Sequence, residues 1–272
     1  DGRYINLFAK YQKFRYESIE DLLNYARQGG WASVSDFKAG YHHLSCPELA
    51  MYMGFELDGT YYVFAVLPFG YAPACRLFME AVSVMFQPVR SAGVALTAYI
   101  DDRFSSHRQR ASCKFEVMLQ CAVMGALGWF ISMGKSALLP VQVVQFLGLI
   151  VDLLHGQFRL PDKKREFIMR NLDELIMAGG RASRRQLASV AGRLVAAAKA
   201  VPLAPLLCRG LAKVAAGEAD MDSLAERPEQ VLQVLCYIRE HLQRCEGGPF
   251  WKRMGGVVFA REAGDVGGGG HT

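Results

Sequence analysis

Three aspartates carry the chemical argument in this sequence: Asp36 and the adjacent pair Asp101 and Asp102. Asp36 ends a run, 31–36, that alternates like a strand. The pair lies between the apolar, partly β-branched stretch 94–100 and the short run Phe104-Ser105-Ser106, a strand, tight turn, strand pattern. If these strands are neighbours in one sheet, three carboxylates gather at one edge. Such a cluster repels itself unless a divalent cation holds it, and hard oxygen ligands suit Mg²⁺, which keeps substrate phosphates in its shell. Two such ions can hold the attacking and leaving oxygens of a phosphoryl transfer. An Asp-Asp pair at a hairpin tip is also ordinary turn chemistry, and spacing leaves both readings open.

The elements that must position these residues are visible as patterns. The segment 18–28 opens on Ser, has apolar residues at Ile19, Leu22, Leu23 and Ala26, and is followed by Gly29-Gly30, which predicts a capped helix. The extended region 51–66 alternates about Asp58-Gly59, a hairpin turn. Helices are expected over 74–87, ended by Pro88, and over 114–127, stopping near Gly128. Strand character returns over 143–154, up to His155-Gly156. Residues 1–155 thus mix helices with a sheet. After Pro161 helices alone are expected: 162–178, closed by Gly179-Gly180, and 183–199, with a Ser183/Gln186 capping box and a stop at Pro202. A domain boundary falls at 156–161.

Composition bounds the function classes. With 272 residues, 51% apolar and only 10 Pro, the chain can bury one or two sizeable cores. Apolar runs such as 141–144 and 194–198 fall far short of the roughly 18 residues of a membrane span. The chain opens on Asp without a signal sequence and reads as a piece of something longer. Its 7 cysteines show no paired metal spacing, so a reduced, intracellular setting is expected. Lys and Arg outnumber Asp and Glu by 31 to 26, which favours an anionic partner without demanding one. The Gly267–Gly270 tail is expected to be disordered.

Five strings occur in a telling order: Asp36-Phe37-Lys38-Ala39-Gly40-Tyr41-His42-His43, Leu67-Pro68-Phe69-Gly70-Tyr71-Ala72-Pro73, Tyr99-Ile100-Asp101-Asp102, Gly128 with Lys135-Ser136, and Phe146-Leu147-Gly148. Together they resemble the palm of reverse transcriptases, over residues 1–207. The wording of Tyr4-Ile5-Asn6, Lys13-Phe14-Arg15-Tyr16-Glu17 and Tyr61-Tyr62-Val63-Phe64 resembles most the DIRS-type retrotransposons, which integrate with a tyrosine recombinase. The resemblance implies an α+β, right-hand polymerase fold. Partial fingers and a palm with an antiparallel sheet would occupy 1–157, an all-helical thumb 158–217, and a connection-like segment 218–272.

By the same resemblance, Asp36 and Asp101 would be the main ligands of two Mg²⁺ ions, replaceable by Mn²⁺, with Asp102 the third, less tightly bound carboxylate. Tyr41 would be the steric gate under the sugar of the incoming nucleotide; its plainer reading is a half-buried palm tyrosine. Phe69 and Gly70 would lie beside the nascent base pair, Phe69 standing where some retroviral relatives carry glutamine; Gly70 alone reads equally as a turn glycine. Lys135 would protonate the leaving pyrophosphate, or is a solvated surface lysine. Tyr99 would pack near the primer terminus, or in the sheet core. Phe146-Leu147-Gly148 resembles the primer grip, although an apolar strand looks the same.

Positive residues concentrate after the palm, at Arg159, Lys163, Lys164, Arg165, Arg170, Arg181, Arg184, Arg185 and Arg193. They match a thumb lying along a duplex, or the wet face of amphipathic helices. Two departures stand out. The string Asp1-Gly2-Arg3 with Tyr4-Ile5-Asn6 resembles the middle of the fingers, so the fingertip that grips the triphosphate is expected to be missing. A helix over 229–242 resembles the one preceding an RNase H domain, yet residues from 255 on hold no acidic cluster for that activity. The implied function is RNA-directed DNA polymerase, acting on a primed RNA or DNA template and deoxynucleoside triphosphates. RNase H and recombinase domains of the parent element are expected partners, and no membrane. An RNA-templated RNA polymerase shares the palm, but a bulky Tyr41 gate speaks against it. From another class, a truncated and inactive remnant would only bind nucleic acid.

Overall fold

The computed structural model describes residues 2–10, 12–215, 220–225 and 227–250. In chain order the helices are α1 (Arg3–Asn6), α2 (Pro47–Ala50), α3 (Ala74–Ser91), α4 (Arg110–Ala126), α5 (Asp162–Met177), α6 (Arg184–Ala196), α7 (Ala204–Ala215) and α8 (Pro228–Arg244). The strands are β1 (Trp31–Asp36), β2 (Gly54–Leu57), β3 (Thr60–Val63), β4 (Leu96–Tyr99), β5 (Asp102–His107), β6 (Ala137–Val141), β7 (Val143–Phe146), β8 (Leu149–Asp152), β9 (Gln157–Arg159) and β10 (Gly248–Pro249). They form an antiparallel sheet ordered β4-β5-β1-β6, a second ordered β10-β9-β8-β7, and the β2–β3 hairpin. Among the described residues no helix is long and apolar enough to cross a membrane. All 7 cysteines fall among the described residues and are free thiols.

The first sheet is covered on both faces, because successive side chains of a strand point to opposite sides. Ala32, Val34 and Phe104 face a core built with the second sheet and α5–α8. Phe37, Leu96 and Ala98 face the other way, into a core with Phe78, Val82 and Phe86 of α3 and Met124 of α4. Pairing of β1 with β5 runs from Trp31 opposite His107 to Asp36 opposite Asp102.

Local chemistry decides most elements, and it overturns several expectations. The predicted helix over 18–28 is a single 3₁₀ turn, Asp21–Asn24. Asp21 Oδ2 accepts from both the backbone and the hydroxyl of Ser18, while the Arg27 guanidinium donates to the carbonyls of Leu23, Asn24 and Ala26, so the turn is closed at both ends. α3 runs past Pro88 to Ser91. Proline removes only the bond to the Val84 carbonyl, and the buried Val89 beyond it holds the last turn on the core until Gly93, at φ 87°. The stretch 143–154 is two strands: Leu147 and Gly148, at φ 46° and 73°, make a tight turn between β7 and β8. α4 begins at Arg110, earlier than its apolar spacing suggested, and α6 ends at Ala196. The Ser183/Gln186 capping box forms as expected. The Gly267–Gly270 tail lies outside the described residues.

Candidate active site

The register brings two of the three aspartates face to face across β1 and β5, and the backbone N–H of Phe37 donates to the Asp101 carbonyl at 3.0 Å. The hairpin turn is centred on Ile100 and Asp101, one residue earlier than the acid pair; Asp102 already belongs to β5, opposite Tyr99. Ile100 sits at φ 50°, a left-handed conformation that a β-branched residue rarely adopts and that costs of order 1–3 kcal/mol. Its N–H meets Met79 Sδ at 3.1 Å, one of the contacts that hold the strained turn in place. Beneath the turn Gly40 is obligatory for space, since any Cβ there would run into Asp101 Oδ1 and the Phe78 ring. Gly40→Ala is therefore expected to cost about 1–3 kcal/mol by overpacking and to displace the Asp101 side chain. Urea unfolding checks it; unchanged stability would refute the cradle.

The charges at this edge are unbalanced. Burial first, then Asp36 and Asp102, push the Asp101 carboxyl above the usual range, against the pull of Arg103 and Lys135. Burial and Asp36 do the same to Asp102. Oδ1 of Asp36 and Oδ1 of Asp101 are buried without a hydrogen-bond partner among the described residues. As placed, no three acidic, histidine or cysteine side chains among the described residues stand close enough to hold an ion. The donor set nonetheless fits a divalent cation: hard oxygens, excess negative charge and two orphaned carboxylate oxygens.

Lys135 leaves a 3₁₀ turn, Met133–Lys135, with Nζ 4.0 Å from Asp36 Oδ1 and a side chain 75% exposed. Its loop also pins Asp36, whose N–H donates to Ser136 Oγ and whose carbonyl accepts from Ser132 N–H. Tyr41 lies in the 3₁₀ turn Gly40–His43, its ring 5.0 Å from both Phe69 and Phe78. Burial and the Cys75 thiol push its hydroxyl up. Phe69 is 72% exposed above it. Gly70, at φ 87°, is clamped by Asn6, whose amide donates to the Gly70 carbonyl and accepts from Ala72 N–H. The Tyr99 ring lies 5.4 Å from that of Tyr16, inclined by 43°, and the Tyr16 hydroxyl donates to Cys75 Sγ at 2.8 Å. Tyr41, Cys75, Tyr16 and Tyr99 thus form one connected layer.

Sequence reasoning missed Cys75, His43 and Arg103. His43 stacks on Trp129 at 4.7 Å and 5°, and its two ring nitrogens pair with the Gly40 carbonyl and the Phe130 N–H. Only its place in the Tyr-His-His string could have flagged it. Arg103 follows the acid pair directly, but nothing local tells a buried arginine from a solvated one. In the basic run, several cations have internal partners: Lys164 donates to the Gly148 carbonyl at 2.8 Å, Arg165 to that of Cys245, and Arg185 pairs with Asp222. Arg170 and Arg193 lie over Phe167 at 5.4 and 4.3 Å, and Arg184 is buried.

The chain resembles known proteins at two levels. A polyprotein of Cassava vein mosaic virus is 26% identical over 153 residues, 56% of this chain and 23% of that polyprotein. Two structures of the foamy viral protease-reverse transcriptase, one with an RNA/DNA hybrid and one with double-stranded DNA, superpose with TM-scores of 0.67 and 0.70. They are 19% and 18% identical, and the match covers 92% of this chain but 32% and 41% of theirs. At that identity the likeness carries the fold, the α+β right-hand polymerase architecture expected from the motifs. The model of the reverse transcriptase (RNA-dependent DNA polymerase) family matches residues 5–151, more than half of the chain, and this protein belongs to that family.

Proposed function

We propose that this chain is the polymerase segment of a retroelement reverse transcriptase, one that extends a primer 3′ end on an RNA or DNA template by phosphoryl transfer from deoxynucleoside triphosphates. The observation that supports the reading is the sheet edge where Asp36 of β1 stands opposite Asp102 of β5 and Asp101 sits in the adjoining strained turn, with Oδ1 of Asp36 and of Asp101 lacking hydrogen-bond partners among the described residues. The family works with divalent metal ions. Here Asp36 and Asp101 would hold two Mg²⁺, or Mn²⁺, with Asp102 the looser third ligand; bound there, the ions would neutralise phosphate charge and ease loss of the 3′-hydroxyl proton. Tyr41 bars a 2′-hydroxyl from the sugar position, Phe69 and Gly70 flank the base, and Tyr99 meets the primer end. Lys135 gives a proton to the leaving pyrophosphate.

Fingers and palm would span 1–157, the thumb 158–217 and a connection-like segment 218–272. The motif wording supports a DIRS-type element, whose RNase H and recombinase domains would be partners. The nucleic acids held by the foamy viral structures support a template–primer duplex as ligand. Primer extension on RNA and DNA templates with Mg²⁺ tests the function. Deoxynucleotide incorporation abolished by chelator is the expected result. Template binding that weakens with salt but supports no extension would make the chain a binding module.

A further inference from the structure

We infer that Arg103 is a built-in cation of the carboxylate site, a positioning residue that braces the aspartates from the far face of the sheet and sets how strongly they draw divalent cations. The inference rests on the proposed metal site. Strand alternation puts Asp102 and Arg103 on opposite faces of β5, with Ser35 of β1 directly across from Arg103. The side chain is 1% exposed. Its Nε donates to Ser35 Oγ at 3.0 Å, and its guanidinium carbon lies 3.4 Å from the centre of the Phe37 ring. Arg103 therefore grips the residues on both sides of Asp36. Its Nη1 reaches the Asp101 carbonyl in the strained turn at 3.5 Å, and Phe86 of α3 closes the far side.

Beyond the Phe37 ring face and the oxygens of Ser35 and the Asp101 carbonyl, the charge in this pocket is favoured chiefly by the carboxylates of the site. Among the described residues, Nη2 has no hydrogen-bond partner. No carboxylate among them pairs directly with the guanidinium; the groups whose charge favours it are Asp36, Asp101, Cys121 and Asp102. For packing alone an apolar side chain of equal size serves as well as or better than a buried cation. Across the sheet, three carboxylates face two cations, Arg103 and Lys135. Arg103 thus offsets the repulsion among the aspartates when no metal is bound, and opposes added positive charge when one arrives.

The test is direct Mn²⁺ binding to the full chain at pH 8 without nucleotide, read from the signal of free Mn²⁺, with wild type, Arg103→Met and Arg103→Lys. Loss of the charge in Arg103→Met should tighten Mn²⁺ binding about tenfold, while lowering the melting temperature in chelator; Arg103→Lys should stay within about threefold of wild type. A merely structural arginine predicts the opposite sign, since a loosened site binds metal less well. Unchanged or weaker binding by folded Arg103→Met overturns the inference. If that variant does not fold, Arg103→Gln, whose amide can still reach Ser35, takes its place: tighter Mn²⁺ binding supports the inference, and unchanged or weaker binding overturns it. Wild-type binding that is absent, or indifferent to Asp101→Asn, would instead defeat the metal site itself.

Discussion

Asp101→Asn is expected to lower primer extension by about a thousandfold or more, some 4 kcal/mol of barrier, and at the same time to raise the melting temperature in metal-free buffer. The loss follows if Asp101 is a main metal ligand, as proposed. The gain follows from electrostatics. Burial and the neighbouring carboxylates raise the folded-state pKa of Asp101. The folded protein therefore binds more protons than the unfolded chain between the ordinary aspartate value and the raised one. Stability contributed by this group is present below the unfolded value and is lost as pH rises through the folded one, so at neutral pH the ionised carboxylate works against the fold. Asparagine removes that charge. Single-turnover extension and thermal melts in chelator across pH check both halves; a variant that keeps a tenth of wild-type extension would sink the assignment.

Phe104→Ala is expected to cost about 3–5 kcal/mol of stability. Phe104 is fully buried, pairs with Val34 and Thr97 across β1 and β4, and packs its ring 5.3 Å from Phe146 of the second sheet. Its carbonyl accepts from the Tyr25 hydroxyl at 3.0 Å. The residue thus joins the two sheets immediately behind the Asp102 strand. A marginally stable domain has roughly 5–15 kcal/mol to lose, so the variant should unfold at markedly lower urea. A loss under about 1 kcal/mol would show that the void collapses and that the two sheets do not depend on this ring.

Legibility in the sequence tracked the range of the interaction involved. The Asp58-Gly59 hairpin, the Ser183/Gln186 cap and the Gly179-Gly180 helix stop rest on contacts within a few residues, and they form as expected. The 18–28 helix failed because the side chains of Asp21 and Arg27 satisfied the backbone locally, an outcome apolar spacing cannot encode. α3 outlasted Pro88 because burial of Val89 outweighed one lost hydrogen bond.

What the sequence by itself determined was the chemical inventory: three carboxylates, an aromatic gate candidate, a lysine and their order along the chain, enough to reach the family. What only the tertiary structure decided was which of these meet, and from which side. Asp36 and Asp101 are far apart in the chain, and they approach only because β1 and β5 pair in a register that places Asp36 opposite Asp102. One step of slippage would turn every side chain of the strand to the other face. The same register carries Arg103 beneath the sheet, and long-range pairing of this kind leaves no local signature for a sequence to display.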